Sequence, residues 1–107
     1  MIKVRFLIGN KQLQGFEISG HAMYAESGSD IVCASVSSAA YMAANTITDV
    51  ICADADASAG NGRMCVTLNQ ANEQAQAVLR GLELHLTELS KQYPENIKII
   101  YGGVKNA

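Results

Sequence analysis

Two residues near the start of the chain have side chains that can carry out covalent chemistry together. His21 and Cys33 lie twelve positions apart, separated by a segment that contains glycine and serine. A cysteine attacks as its thiolate, and a histidine within hydrogen-bond reach can take the thiol proton and form an ion pair with the sulfur. This pair predicts acyl transfer, in which the thiolate attacks a carbonyl carbon.

The residues next to Cys33 predict an element that would support this chemistry. Asp30 is a favoured helix cap, and apolar residues follow it at helical spacing, so we expect a helix to begin at Asp30 or Ile31. Cys33 would then lie in the first turn, where the helix dipole favours an anion and the backbone amides can stabilise an oxyanion. A carboxylate beside a thiolate is unfavourable, so we interpret Asp30 as the cap or as the group that orients His21.

The cysteines and His85 also have purely structural interpretations. Cysteine is among the most frequently buried residue types, so on spacing alone a small core residue is the commoner role for Cys33. Cys52 and Cys65 have no histidine nearby in the sequence, and we interpret both as core residues. His85 lies among leucines and is interpreted as a structural or surface histidine.

The composition indicates one folded domain that spans residues 1–107. Apolar residues make up 49% of the chain and charged residues 17%, which argues against disorder. The net charge of −2 provides no basic patch, so we expect no direct contact with nucleic acid, and it suits a mildly basic partner.

The cysteines and the N-terminal sequence predict the compartment. Three cysteines form neither a metal-binding spacing nor an even set for disulfides, so we expect a reducing compartment, no metal site and no cofactor. The chain begins directly with an alternating strand pattern, and no apolar run approaches the roughly 18 residues of a membrane span. We therefore predict a cytoplasmic protein that does not contact a membrane.

Hydrophobic periodicity predicts an α+β fold with the element order β-β-α-β-β-α-β. Alternating apolar residues indicate the strands, and two longer patterns at helical spacing indicate the helices. Strands are predicted at 2–8, 16–18, 53–57, 64–68 and 97–101, and helices at 31–52 and from Asn72 to Pro94. Gly15 predicts a bulge in the first hairpin, and Gly102 and Gly103 predict a loose tail. This order favours a two-layer sandwich, with two helices on one face of a mixed sheet.

The central segment resembles the ribosomal-processing cysteine protease family, called Prp. The resemblance is carried by the pattern G-H-A…G-x-D-I-V-C-A-x-x-S, which here comprises Gly20-His21-Ala22, Gly28, Asp30-Ile31-Val32-Cys33-Ala34 and Ser37. It extends over the whole chain in length and element order, and it includes the helix that Pro94 follows.

The resemblance implies a cysteine endopeptidase that acts on a ribosomal protein. Members of the family remove an N-terminal extension from a large-subunit ribosomal protein, cut after an aromatic pair, use a Cys/His dyad and form homodimers. By this resemblance the dyad is Cys33 and His21, and Asp30, Ser37 and Gly20 support it.

The resemblance also implies a mobile loop between His21 and Cys33. We expect residues 22–29, including Gly28, to be mobile when the site is empty, because glycine and serine are poor helix or strand formers. Met23 and Tyr24 offer apolar surface that can close over an aromatic side chain of the substrate.

Two hypotheses of other classes stay open at this point. The chain can be a non-catalytic ribosome-associated binding module in which Cys33 is merely buried. It can also be a thiol redox sensor in which Cys33 pairs with Cys52 or Cys65.

Overall fold

The computed structural model describes residues 1–20 and 27–103, and of residues 27–30 it describes the backbone alone. The described chain forms a five-stranded sheet and two long helices. The elements are β1 (Ile2–Gly9), β2 (Gln12–Ser19), α1 (Ser27–Asn45) with a π-helical turn (Thr46–Val50) directly after it, β3 (Ala55–Gly60), β4 (Arg63–Leu68), α2 (Glu73–Gln92) and β5 (Ile97–Gly103). The predicted α+β class and element order are confirmed.

The sheet is mixed, as the sequence predicts. Its strand order is β3-β4-β2-β1-β5, and β5 is the one strand of the five that runs parallel to its neighbour, β1. β1, β2 and β4 bury alternate side chains against the helices, among them Val4, Phe6, Phe16 and Val66, each with no exposed surface. This alternation places the core on one face of the sheet and leaves the other face open.

Both helices bury most of the stripes that their periodicity predicts, but Tyr93, expected in the stripe of α2, is exposed just after the helix. α1 contributes Val32, Val36, Ala40 and Ala43, and α2 contributes Ala75, Leu79, Leu82 and Leu86. The predicted cap of α2 is confirmed, because the side-chain oxygen of Asn72 accepts a hydrogen bond of 2.9 Å from the backbone N–H of Ala75.

The predicted bulge near Gly15 is also confirmed. The β1–β2 register shifts between Leu7 and Ile8, so that β2 carries one extra residue there. A Cβ at Gly15 would overlap the carbonyl oxygen of Val66 on β4. Glycine therefore permits the close approach of β2 and β4.

Several predicted boundaries are corrected by the structure: β2 begins at Gln12 instead of Phe16, and β3 ends at Gly60 instead of Ala57. α1 begins at Ser27 instead of at Asp30 or Ile31, β3 begins at Ala55 instead of Ala53, and β5 continues through Gly103 where a loose tail was expected. Packing explains these changes: the buried residues of α1 hold a first turn of low helix propensity, and Gly103 pairs with Ile8 of β1.

α1 also bears on the expectation that no apolar run is long enough to span a membrane. By length and composition alone, the helical segment Ile31–Val50 is long and apolar enough to do so. About a third of that segment is buried, and its buried residues belong to the hydrophobic core of the fold.

Candidate active site

A cleft of about 290 Å³ lies beside the N-terminal half of α1. α1 contributes Cys33, Ser37 and Tyr41, which are four residues apart and so share one face of the helix. Facing them are the end of β2 at Gly20 and the turn between β3 and β4, residues 60–63. The cleft thus combines a local helix stripe with segments that are distant in the sequence.

Cys33 is held at the wall of this cleft by its neighbours on α1. Val32 and Val36 are almost fully buried, each with 1% exposed surface, and they fix the rotation of the helix. Cys33 is half-buried, packs against the core with one side and borders the cleft with the other. Cys33 therefore borders a space that a ligand can occupy, while its position is fixed by the core.

Because α1 begins earlier than the sequence predicts, the environment of Cys33 differs from the expected one. Cys33 is the seventh residue of the helix, in its second turn, and not in the first turn as the sequence predicts. The effect of the helix dipole falls off within the first turn, so the dipole contributes less to a thiolate here than expected. A charge partner for the thiolate is correspondingly more important.

Gly20 shapes the backbone at the entrance to the His21 segment. It has a backbone φ of 79°, a conformation that residues other than glycine rarely adopt. A Cβ at this position would lie 2.5 Å from the carbonyl oxygen of Met1. Glycine is thus required by both the backbone conformation and the close approach of the N-terminus.

Several predicted site residues lie outside the described part of the chain. These are His21, Met23 and Tyr24, so the Cys/His dyad and most of the expected loop stay predictions. Asp30 and Gly28 are described in their backbone, and both lie inside α1. Asp30 is the fourth residue of the helix, so its interpretation as the N-cap is wrong, and residues 27–29 belong to the helix instead of the expected loop.

Two parts of the cleft were not predicted. Tyr41 lies eight residues after Cys33, so helix periodicity from Cys33 identifies it once the cleft is known. The turn has positive φ at Asn61 and Gly62, 52° and 73°, and the Arg63 side chain at its end forms an ion pair with Glu17 of β2. The turn sequence predicts a hairpin, but only the sheet order brings it opposite α1.

The other two cysteines lie away from the cleft. Cys52 is exposed, with a φ of 58°, so its interpretation as a core residue is wrong. From Cys33 to the end of α1 at Asn45 the helix extends for about 18 Å, and Cys52 lies beyond the π-helical turn that follows. Cys65 alternates with the buried Met64 and Val66 and therefore lies on the open face of the sheet. Neither thiol can reach Cys33 in this fold, which argues against the redox-sensor hypothesis.

The second histidine of the chain, His85, does not border the cleft. His85 is an exposed residue of α2 and lines a separate groove between the two helices, which confirms a surface position. Among the described residues, no group of three His, Cys, Asp or Glu side chains is placed to hold a metal ion.

Cys33 lies at the wall of a cleft that Gly20 also borders, and His21 is the next residue after Gly20 in the sequence. Enzymes that act through a cysteine nucleophile need such a cysteine and a base within its reach. The family model described as cysteine protease Prp matches residues 1–98. The chain therefore belongs to the Prp family and is a cysteine protease.

Similar proteins agree with this assignment. The ribosomal processing cysteine protease Prp of Bacillus subtilis (strain 168) is 26% identical over 97 residues, which cover 84% of this chain and 87% of the relative. The structure of S. aureus Prp with a substrate peptide has a TM-score of 0.86 at 25% identity, and covers 95% of this chain and 100% of its own. The same protease with a covalently linked product peptide has a TM-score of 0.83 at 26% identity, with the same coverage. A structure from Streptococcus mutans has a TM-score of 0.85 at 26% identity, and covers 97% of this chain and 99% of its own.

Proposed function

We propose that this protease removes an N-terminal extension from a large-subunit ribosomal protein and cuts after an aromatic pair. The observation that carries the proposal is the position of Cys33 at the wall of a cleft of about 290 Å³. The family membership and the similarity to a protease that holds a substrate peptide support a peptide as the occupant of that cleft. A non-catalytic binding module does not account for a cysteine at the wall of a cleft in a protease family.

The proposed mechanism uses Cys33 as nucleophile and His21 as base. His21 takes the thiol proton, and the sulfur attacks the scissile carbonyl carbon to form a tetrahedral intermediate. His21 then gives the proton to the leaving amine as the C–N bond breaks, which leaves a thioester on Cys33. Water attacks the thioester while His21 takes its proton, and return of that proton to the sulfur regenerates the thiol and releases the acid.

The supporting residues are proposed to position this pair. Asp30 lies one helical turn before Cys33, which suits the role of orienting His21 now that it is not the helix cap. Ser37 lies one turn after Cys33 and borders the cleft, where its hydroxyl can contact the substrate backbone. Met23 and Tyr24 are proposed to cover an aromatic side chain of the substrate. We also propose that the protein acts as a homodimer in the cytoplasm.

The proposal is tested with the large-subunit ribosomal protein of the same organism. Incubation with the protease is expected to shorten this protein at its N-terminus by one defined segment that ends in the aromatic pair, as measured by intact mass. Alanine substitution of that pair in the substrate is the matched control and is expected to prevent the cut. An unshortened ribosomal protein, or equal cleavage of the substituted one, would contradict the proposal.

The role of His21 is tested separately. His21→Ala is expected to lower kcat about 10²-fold to 10⁴-fold, the usual contribution of a general acid or base. Because less thiolate forms without the imidazolium, alkylation of Cys33 at neutral pH should also slow. His85→Ala, on the surface of α2, is the control and should change neither rate. Normal turnover in His21→Ala would refute the assignment of the base.

A further inference from the structure

The Cys33 cleft continues into a second groove along α1. This groove has a volume of about 180 Å³ and lies between α1 and the β3–β4 hairpin. Tyr41 and Met64 line both spaces, so the two form one path away from Cys33. Tyr41 is 49% exposed and stands where the two spaces meet.

β3 forms one side of the groove and is an edge strand of the sheet. Among the described strands it pairs with β4 alone, and the two-residue turn at Asn61 and Gly62 fixes the register of the hairpin. At the other end of the hairpin, the backbone N–H of Asn69 donates to the carbonyl of Asp54 at 2.8 Å. The bonded pairs of this antiparallel ladder are therefore Asp54 with Asn69, Asp56 with Thr67, Ser58 with Cys65, and Gly60 with Arg63.

The intervening residues of β3 direct their backbone groups away from β4. These residues are Ala55, Ala57 and Ala59, and the N–H and C=O of each point to the open edge. Their methyl side chains face the helix layer, yet Ala57 and Ala59 are exposed because no helix covers them. The strand sequence ADASAG has neither lysine nor proline, the residues that commonly protect an exposed edge.

We propose that an extended segment of the substrate adds to the edge of β3 as a further strand and that Tyr41 is a specificity-determining residue for it. This proposal rests on the proposed function and names how the peptide binds. Added strands gain affinity from backbone hydrogen bonds and specificity from alternate side chains. Here the alternate side chains on one face of the peptide enter the groove beside Tyr41.

The charge near this edge agrees with a ribosomal substrate. Asp54 is exposed directly before β3, and Asp56 is exposed on it. A protein that binds ribosomal RNA neutralises phosphates with lysine and arginine, so its terminal segments are commonly basic. An acidic edge attracts such a segment, whereas it would repel a second acidic strand.

Single N-methyl substitutions in a synthetic substrate peptide test the strand pairing. The probe is a peptide that spans the aromatic pair of the organism's ribosomal protein, methylated at one backbone nitrogen at a time. On one side of the cut, methylation at every second position is expected to lower kcat/KM about tenfold or more, because the N–H groups at these positions bond to β3. Methylation at the intervening positions is expected to change kcat/KM little. Uniform or absent sensitivity in a peptide that is cut would overturn the inference. Failure to cut the unmodified peptide would refute the proposed function instead.

Two substitutions on α1 test the groove. Tyr41→Ala is expected to raise KM about tenfold with little change in kcat, because Tyr41 contacts the peptide and not the reacting bond. Met42→Ala is the matched control, since Met42 is 65% exposed on the adjacent position and faces the groove between the helices. Equal KM values for both variants would overturn the role of Tyr41. The oligomeric state of Ala57→Pro tests the alternative that the β3 edge pairs with a second copy of the chain. If the protein is a dimer, this variant is a monomer and the methyl scan shows no alternation, the edge is a dimer contact and the proposal is overturned.

Discussion

Cys33→Ala is expected to abolish cleavage of the ribosomal substrate and to leave the fold intact. The loss of a covalent nucleophile should lower kcat/KM on the order of 10⁴-fold or more. The side chain is half-buried and loses a single sulfur atom, so the free energy of unfolding should change by no more than about 1 kcal/mol. Cleavage kinetics and denaturant unfolding of the same preparation measure the two effects.

The other cysteines provide matched controls for this experiment. Cys52 is exposed beyond the helix, and Cys65 lies on the open face of the sheet. Cys52→Ala and Cys65→Ala remove the same atom from positions that do not border the cleft, so both should retain wild-type activity. If either is as inactive as Cys33→Ala, the assignment of the nucleophile is wrong.

Gly20→Ala is expected to impair both stability and cleavage. A residue with a Cβ at a φ of 79° costs about 1–2 kcal/mol. The added Cβ would also lie 2.5 Å from the Met1 carbonyl oxygen, so the backbone must shift. The shift occurs next to His21, and a displacement of about 1 Å in a catalytic group can lower the rate about 10²-fold. Cleavage kinetics at a temperature where the variant is folded separate this effect from unfolding.

Gly81→Ala is the control for the glycine substitution. Gly81 lies on α2, and a Cβ there would meet no atom within 4 Å. Alanine is favoured over glycine inside a helix by about 0.5–1 kcal/mol, so this variant should be slightly more stable and equally active. Wild-type cleavage by Gly20→Ala would show that the conformation at Gly20 does not position the catalytic segment.

Local sequence patterns predict most of the elements in this protein. The alternation in β1 and β4, the stripes of α1 and α2, the cap at Asn72 and the bulge near Gly15 all follow from interactions within one element or one hairpin. The same holds for Cys33, because its place on α1 beside the buried Val32 and Val36 follows from helical spacing. Residue types and their separation therefore provide a cysteine nucleophile as one interpretation of Cys33, and the motif shared with the Prp family selects it.

Tertiary packing decides the element bounds, the exposure of individual residues and the shape of the cleft. The early start of α1 depends on packing of the following turns, and the exposure of Cys52 depends on where the chain leaves the helix. The opposite wall of the cleft depends on the strand order, which places the turn at residues 60–63 across from α1. The sequence by itself thus determines the type and order of the elements and the candidate nucleophile. The element bounds, the cleft, its extension along β3 and the proposed role of Tyr41 depend on contacts between residues far apart in the chain. Such contacts are set by the summed burial of the whole core and not by any local pattern.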